Sequence, residues 1–527
     1  MLKKFDPNHR VLFLIWVAFL ARGTFYSVQQ PSWEGFDEWA HFARIQFLFD
    51  NHRSPTRNDP ISDEIKLSLL SVPLSAHAVI DIAGAVTHDQ YWKIPRAEAN
   101  LKALQLKQYE AQQPPLYYWL SVIPYAALES SSLPTRVLAI RLFSVVIAST
   151  TAPLAYALAR VLMPLERFAL LVPLLIASLP GLSVNICRVG NECLAIPLTS
   201  AVLLVMLKAR HPKLLGTVLG ATLLTKAYAL AFLPLIPTMA ILRLWTWRKV
   251  FTSVALAVLI SGWWYWGAFT TTGALSGEQI DAAATHFTLS QKLQAARSIN
   301  WSATIDTFLF THIWVGGWSF LVVRSWMYRV VESIALVAAV GLVILAWRRK
   351  FTSKLVLTSA MYILLCAGLA YHAVTMSLVR NTPATMGWYL YACIIAEVSL
   401  LTWGLIGLAG AHAAVRALAA IACLAIALDV YTVHFVLTSY YTGQIAHSAT
   451  GRLEAFPAAA FLKFDVVSEI VKRLAVNESH LIGPAMILGS WIGYALGTGW
   501  LLVTALRFIG IQISKPPVPV EGSNSSP

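Results

Sequence analysis

Residues 31–46 read PSWEGFDEWAHFARIQ, and they follow closely on the apolar run VLFLIWVAFLARGTFYSV of residues 11–28. The apolar run has the length of a helix that crosses the hydrocarbon core of a bilayer. The stretch behind it sets Glu34, Asp37, Glu38, His41 and Arg44 within about three helical turns, with Phe36, Trp39, Phe42 and Phe47 between and beyond them. Asp37, His41 and Arg44 fall at i, i+4 and i+7, hence on one helical face. The two segments together read as a membrane span followed by a partly buried amphipathic helix whose start is polar. Charge beside a bilayer is unfavourable and tends to mark a working site, so Asp37 and Glu38 are the first candidates. The plainer alternative is the beginning of a solvated loop.

The rest of the chain supports a membrane setting. Of its 527 residues 57% are hydrophobic and 13% charged, and its mean hydropathy is +0.62. Soluble domains carry roughly 25% charged residues, so the reading is an all-α polytopic membrane protein. No small-residue cleavage site follows residues 11–28, and the first run is expected to be retained as a span. The net charge of +14 is explained by Lys and Arg gathered in cytoplasmic loops. No basic helix stands apart from the apolar segments, which argues against nucleic acid as a partner. Cys187, Cys193, Cys366, Cys393 and Cys423 lack C-x-x-C spacing, so neither zinc nor a disulfide framework is indicated, although a Cys187–Cys193 pair stays open.

Apolar blocks lie at about 11–28, 137–160, 167–185, 193–209, 213–224, 227–243, 250–269, 328–347, 353–376, 386–409, 411–435 and 483–506. Basic clusters at Lys3/Lys4/Arg10, Arg160/Arg167, Lys208/Arg210/Lys213, Arg243/Arg248/Lys249 and Arg348/Arg349/Lys350/Lys354 all fall inside if these form about twelve spans with both termini cytoplasmic. The block 114–128 would reverse that order if it crossed, and it is short and broken by Pro124, so a helix at the outer interface is expected. The expected organisation is a cytoplasmic start and first span (1–28), an external loop with juxtamembrane helices (29–136), spans two to seven (137–269), an external loop (270–327), spans eight to eleven (328–435), a third external loop (436–482), and the last span with a cytoplasmic tail (483–527).

Six stretches then acquire a common meaning. GFDEWAHFARIQFL (35–48) resembles the Asp-Glu signature that follows the first span in membrane glycosyltransferases of the GT-C class, of the protein-mannosyltransferase and aminoarabinose-transferase type and their DUF2142-like bacterial relatives. In the same order, YEAQQPPLYYWL (109–120), RVLAIRLFSVV (136–146), RVGNECLAIPL (188–198), LLTKAYALAFLPL (223–235) and MGWYLYACIIAE (386–397) are similar to further segments of that class. The chain departs from the pattern at Gln113, where His is frequent, at Trp388, where Arg is usual, and at Asn191-Glu192, where Asn-Asp is common.

The resemblance implies an inverting transfer of a sugar from a polyprenyl-phosphate carrier to a glycan, lipid or protein acceptor, at the outer face of a bacterial plasma membrane. The attacking hydroxyl must lose a proton, which requires a carboxylate base, and Asp37 is the candidate with Glu38 orienting it or sharing the proton. The leaving phosphate requires fixed cations, for which Lys226, Arg380 and Arg141 are the candidates. Bland readings stand beside these: a snorkelling Lys226, an anchoring Arg380, and a structural pair between Arg141 and a loop carboxylate. Glu192 and His41 could position the acceptor or a cation. No cofactor is required by the sequence; a divalent cation on Glu38 and His41 with His286 or His312 stays open, since no ligand spacing selects a metal. Trp263, Trp264, Trp266, Trp301, Trp314 and Trp318 read as an interfacial belt or as stacking surfaces for sugars. Asn300 and Asn477 each begin a glycan-acceptor triplet, a pattern that also arises by chance. A secondary transporter would instead show inverted repeats and mid-membrane charges, and a ligase working from a pyrophosphate carrier would need more cations.

Overall fold

The computed structural model describes residues 7–75, 79, 82, 84–93, 104, 106–445, 453–476 and 483–510. Lys3, Lys4, the Asn477 triplet and the tail from 511 onward lie outside the described residues. Among the described residues every regular element is helical. Seven helical stretches are long and apolar enough to cross a membrane: Pro7–Gln29, Leu133–Leu162, Trp247–Thr272, Ser325–Trp347, Ser353–Arg380, Gly387–Tyr441 and Pro484–Gly510. The pair Arg167–Ser178 and Pro180–Ile186, bent by 64°, is long and apolar enough only when its two helices are counted together.

The remaining expected spans differ in physical detail. Block 193–209 forms Glu192–Lys208, 17 residues long, and block 213–224 forms Pro212–Leu223, 12 residues long. Block 227–243 breaks into Ala227–Phe232 and Leu235–Ile241. Blocks 386–409 and 411–435 lie in one run that extends to Tyr441. Unbroken, its 55 residues would reach about 80 Å against a hydrocarbon core of about 30 Å. Gly410 interrupts it with φ 77° and ψ 166°, a backbone state that only glycine reaches readily. The segment at 114–128 forms Leu116–Ala127, with Pro124 inside and a length of 12 residues. That is about 18 Å, too short to cross.

Close packing of small residues joins the helices, as is usual where lipid removes the hydrophobic drive between them. A Cβ on Gly341 would lie 1.9 Å from the carbonyl oxygen of Gly404, so the Ser325–Trp347 and Ile394–Tyr431 helices touch backbone to backbone. A polar clamp holds the first helix. Arg22, fully buried, pairs with Asp429 at 2.7 Å. The hydroxyls of Tyr26 and Tyr494 donate to the two oxygens of the same carboxylate, each at 2.7 Å. Sequence reasoning assigned neither Arg22 nor Asp429 a role, although each is a charge inside an apolar run.

Two contacts between helix ends lie among basic residues. Next to Arg160, Lys354 Nζ donates to the Val161 carbonyl at 3.2 Å, and next to Lys208 and Arg210, Trp245 Nε1 donates to the Ala209 carbonyl at 2.7 Å. The chain after the first helix folds as a cap, Glu38–Asn51, Asp63–Ser71 and Leu116–Ala127. Arg44 anchors this cap: its guanidinium lies 3.9 Å from the centre of the Tyr118 ring and donates to the carbonyls of Glu110 (2.8 Å) and Gln113 (2.6 Å). Glu34 ties the cap to the segment after Trp301–Ile313. It accepts from Ser319 N at 2.6 Å through Oε1, and its Oε2 lies 3.1 Å from His88 Nε2.

Replacing Asp429 by Ala leaves Arg22 buried without its counter-charge, which costs about 3–5 kcal/mol. The purified variant is expected to melt well below wild type, with Asp429→Asn intermediate. Equal melting temperatures would remove the clamp from the account of stability.

Candidate active site

The turn between the first two helices is strained and held in place by one arginine. Trp33 and Asp37 both have positive φ, 69° and 54°. Asp tolerates that region because its short side chain bonds locally, whereas Trp does not do so readily. Arg141 supplies the restraint. Its Nε and Nη2 donate to the two oxygens of Glu38 at 2.7 and 2.5 Å. Its remaining protons reach the carbonyls of Ser27 (3.1 Å), Gln30 (2.6 Å) and Pro31 (2.9 Å). Glu38 also accepts from Trp33 N at 3.2 Å and Val189 N at 3.0 Å. Both side chains are buried, and neither borders the cavity described next. The expected contact of Arg141 with a carrier phosphate is therefore not made available by this geometry, and Glu38 has no oxygen left to share a proton with Asp37; desolvation and full hydrogen bonding commit the pair to each other.

Asp37, one residue earlier, faces the other way. It lines a cavity of about 640 Å³ together with His41, Glu192, Lys226 and Arg380, so five of the seven expected site residues come together. Glu192 sits between two cations: Lys226 Nζ is 2.7 Å from Oε1 and Arg188 Nη2 is 3.1 Å from Oε2. Lys226 also donates to Asn191 Oδ1 at 2.9 Å. An ammonium carries three protons, so one N–H of Lys226 stays uncommitted among the described residues. Arg188 donates from Nε and Nη2 to Asn185 at 3.1 and 3.0 Å, and from Nη1 to the Phe36 carbonyl, which leaves one Nη1 proton without an acceptor among the described residues. Arg380 is exposed at the cavity rim.

Arg188, Glu110 and Glu278 also border the cavity, and sequence reasoning did not assign them. Arg188 lies inside RVGNE and Glu110 next to QQPP, but nothing in their spacing distinguishes them from ordinary loop charges. Burial, reinforced by nearby Asp37, pushes the Glu110 carboxyl up to about 8. Burial also raises Glu278. His41 is pulled down by burial and by nearby Lys226, Arg188 and Arg44, against the opposing pull of Glu192; its Nδ1 lies 2.8 Å from the Tyr118 hydroxyl. An aromatic wall completes the cavity. Phe36 stacks on Trp388 at 3.9 Å, with Trp318 at 6.0 Å and Phe320 at 6.1 Å from Phe36. Of the six tryptophans expected to face a membrane or a sugar, Trp318 alone borders this cavity.

The expected cation set does not assemble. Glu38 is held by Arg141 and His41 by Tyr118, His312 pairs with Glu397 at 2.8 Å, and His286 is exposed. No cluster of three or more His, Cys, Asp or Glu suited to a metal occurs among the described residues. Cys187 and Cys193 are both free thiols rather than a disulfide.

No family model and no curated protein matches the sequence. Solved structures do match. A crystal structure of ArnT from Cupriavidus metallidurans bound to undecaprenyl phosphate superposes with a TM-score of 0.50 at 14% identity, covering 96% of this chain and 78% of that one. The chain has the GT-C fold. An oligosaccharyltransferase from Archaeoglobus fulgidus in the apo form also matches, with a TM-score of 0.41 at 13% identity, covering 95% of this chain and 56% of that one.

Glu110 makes the cavity sensitive to pH. A carboxyl raised from 4.5 to about 8 in the folded state makes a contribution to stability that is fully present below its unfolded value and is lost as pH rises through 8. Glu110→Gln, always neutral, is therefore expected to match wild type in melting temperature below about pH 4.5, to gain on it as pH rises, and to exceed it by a constant margin above about pH 8. Parallel melting curves across that window would show that Glu110 does not carry the buried proton.

Proposed function

We propose that the chain is an integral-membrane glycosyltransferase that moves a sugar from a polyprenyl-phosphate carrier to an acceptor hydroxyl with inversion. The observation that carries this reading is the shared cavity: an acidic residue at a strained helix start and a cation–carboxylate–cation row line one space in a GT-C fold. The carrier of the matching ArnT structure, undecaprenyl phosphate, is of the same chemical class as the proposed donor.

In this reading Asp37 accepts the proton of the acceptor hydroxyl as its oxygen bonds to the anomeric carbon. The bond between that carbon and the carrier phosphate breaks, and its electron pair leaves with the phosphate. The uncommitted N–H groups of Lys226 and Arg188 then meet the developing charge, in a buried setting where such bonds are strong. Two cations with one carboxylate between them leave a net single positive charge, which suits one phosphate better than a pyrophosphate. Leu230, Leu365, Leu369 and Met376 form an apolar side of the cavity suited to the first isoprene units of the carrier. Arg380 at the rim attracts the anionic donor, and His41, kept neutral by its burial, serves as a hydrogen-bonding partner. Glu38 and Arg141 act as positioning residues for Asp37. The site faces the outer side of the membrane, since the basic loops belong inside.

Asp37→Asn keeps the shape of the side chain and removes its basicity. Turnover in a purified assay of polyprenyl-phosphate release is expected to fall about 10²–10⁴-fold with donor binding preserved. Retention of more than about a tenth of turnover would transfer the role of base to another carboxylate of the cavity. Lys226→Ala is expected to weaken transition-state stabilisation by about 1.5–3 kcal/mol, read from kcat/KM. Undiminished kcat/KM would exclude Lys226 from the phosphate site. A topology reporter after Gly84 should read external and one after Lys249 cytoplasmic; the reverse pair would move the site to the other face.

A further inference from the structure

Part of the aromatic wall is built by a strained turn. Residues 316–321 lie in the connection between the helices Trp301–Ile313 and Ser325–Trp347. Gly316 N donates to the Leu321 carbonyl at 2.9 Å and closes the turn. Gly317 and Phe320 both have positive φ, 58° and 49°. Glycine is required at 317, because a Cβ there would lie 2.8 Å from the carbonyl oxygen of Glu34. Phenylalanine at 320 is a different case. A bulky residue rarely holds that backbone state, and such strain persists where the surroundings impose it, commonly at ligand sites. Glu34, three residues before Asp37, imposes it: its carbonyl accepts from Trp318 N at 2.7 Å and its Oε1 from Ser319 N at 2.6 Å.

The turn presents two partly exposed rings at the cavity, Trp318 and Phe320, in front of the buried, stacked pair of Phe36 and Trp388. Phe36 precedes Asp37 in the chain, so the rings stand beside the proposed base. Trp318 and Phe320 meet the other rings of the group at 46° or 60° rather than face to face. The face of an aromatic ring is electronegative and favours C–H groups. A pyranose offers C–H groups on its faces and hydroxyls around its edge. Asp37, Tyr109 and Asp281 border the same cavity and can bond such hydroxyls.

Two observations select the molecule that brings the ring. Leu365, Leu369 and Met376, on the apolar side suited to the carrier, belong to the membrane-length helix Ser353–Arg380, whereas the turn lies between helices. A ligand that meets the turn therefore approaches from the side where an acceptor enters. The backbone N–H groups of Gly316, Trp318, Ser319, Phe320 and Leu321 are all bonded within the protein. A peptide held through its main chain would find no donors among them, while a sugar ring uses the side-chain surfaces that the turn does offer.

We propose that the acceptor is a saccharide and that Trp318 and Phe320 hold the sugar ring carrying the attacking hydroxyl. The acceptor role rests on the transfer reaction proposed above, but the binding of a sugar ring at the turn is measurable without turnover.

The test uses the purified full chain in nanodiscs and saturation-transfer difference NMR. The probes are methyl pyranosides of gluco, galacto and manno configuration, the acyclic polyol sorbitol, and a capped serine tripeptide. At least one glycoside is expected to take up saturation at its ring C–H protons beyond sorbitol and the peptide. Trp318→Ala should weaken that binding about tenfold, the scale of a lost aromatic contact, whereas Trp318→Phe keeps a ring and should retain most of it. Melting curves confirm that each variant is folded. Farnesyl phosphate, a carrier without a sugar, should leave the glycoside bound. Glycosides that bind no better than sorbitol, or equally to wild type and Trp318→Ala, would overturn the proposal. Displacement of the glycoside by a farnesyl-phosphoryl sugar but not by farnesyl phosphate would give the rings to the donor sugar and overturn the acceptor assignment. Release of farnesyl phosphate from a panel of farnesyl-phosphoryl sugars is followed in parallel. Release stimulated by the peptide and by no glycoside would overturn the saccharide assignment and leave the transferase reading standing. No release from any donor, with glycoside binding intact, would remove the transferase reading and the acceptor role with it.

Discussion

Arg141 spends every proton of its guanidinium on the turn that follows the first helix. That helix ends near Gln29, and its last carbonyls have no donors within the helix. Arg141 reaches across from the Leu133–Leu162 helix to the carbonyls of Ser27 and Gln30, a cation placed where the helix dipole favours one. The same guanidinium grips Glu38 at the start of the next helix. The short connection between the helices is thereby fixed at both ends, and Asp37 is left with a backbone state that turns it into the cavity. The remaining cavity elements come from other helices, but they are useful only if this turn keeps its shape.

The charges around the cavity explain how cations persist so close to lipid. Lys226 and Arg188 share Glu192, so each is paired, hydrogen-bonded and still able to offer one proton. An isolated buried ammonium would be far less favourable. The Glu110 carboxyl, pushed up to about 8 by its burial, reduces the negative charge near Asp37 at neutral pH.

Much of this was legible in the chain because lipid imposes a severe rule: every backbone polar group must be satisfied locally, so apolar blocks of span length become helices. The predicted blocks are helical, 227–243 in two pieces, and the stretch after the first span forms the helix Glu38–Asn51 with Asp37 at its start, although it is buried on nearly every face through Leu48 rather than half-exposed. The short and broken helices at 192–241 were less legible. Pro197, Pro212, Pro234, Pro237 and Lys226 interrupt the pattern there without fixing where the chain bends. The Arg22–Asp429 pair was invisible for a different reason: one member lies in the first helix and the other near the end of the long Gly387–Tyr441 run, and only the packing of the bundle brings them together.

The sequence by itself determined the class of the molecule, the positions of its long apolar helices and the identity of the acidic residue at the first helix end. Hydrophobic length and charge spacing are local properties, and they survive in a one-dimensional reading. Only the tertiary structure decided which charges work on the cavity and which hold the scaffold. Arg141 and Lys226 look alike in the sequence, each a cation near the end of an apolar block, yet one is committed to Glu38 and three carbonyls while the other lines the cavity. Burial and pairing set that difference, and both depend on contacts between helices distant in the chain.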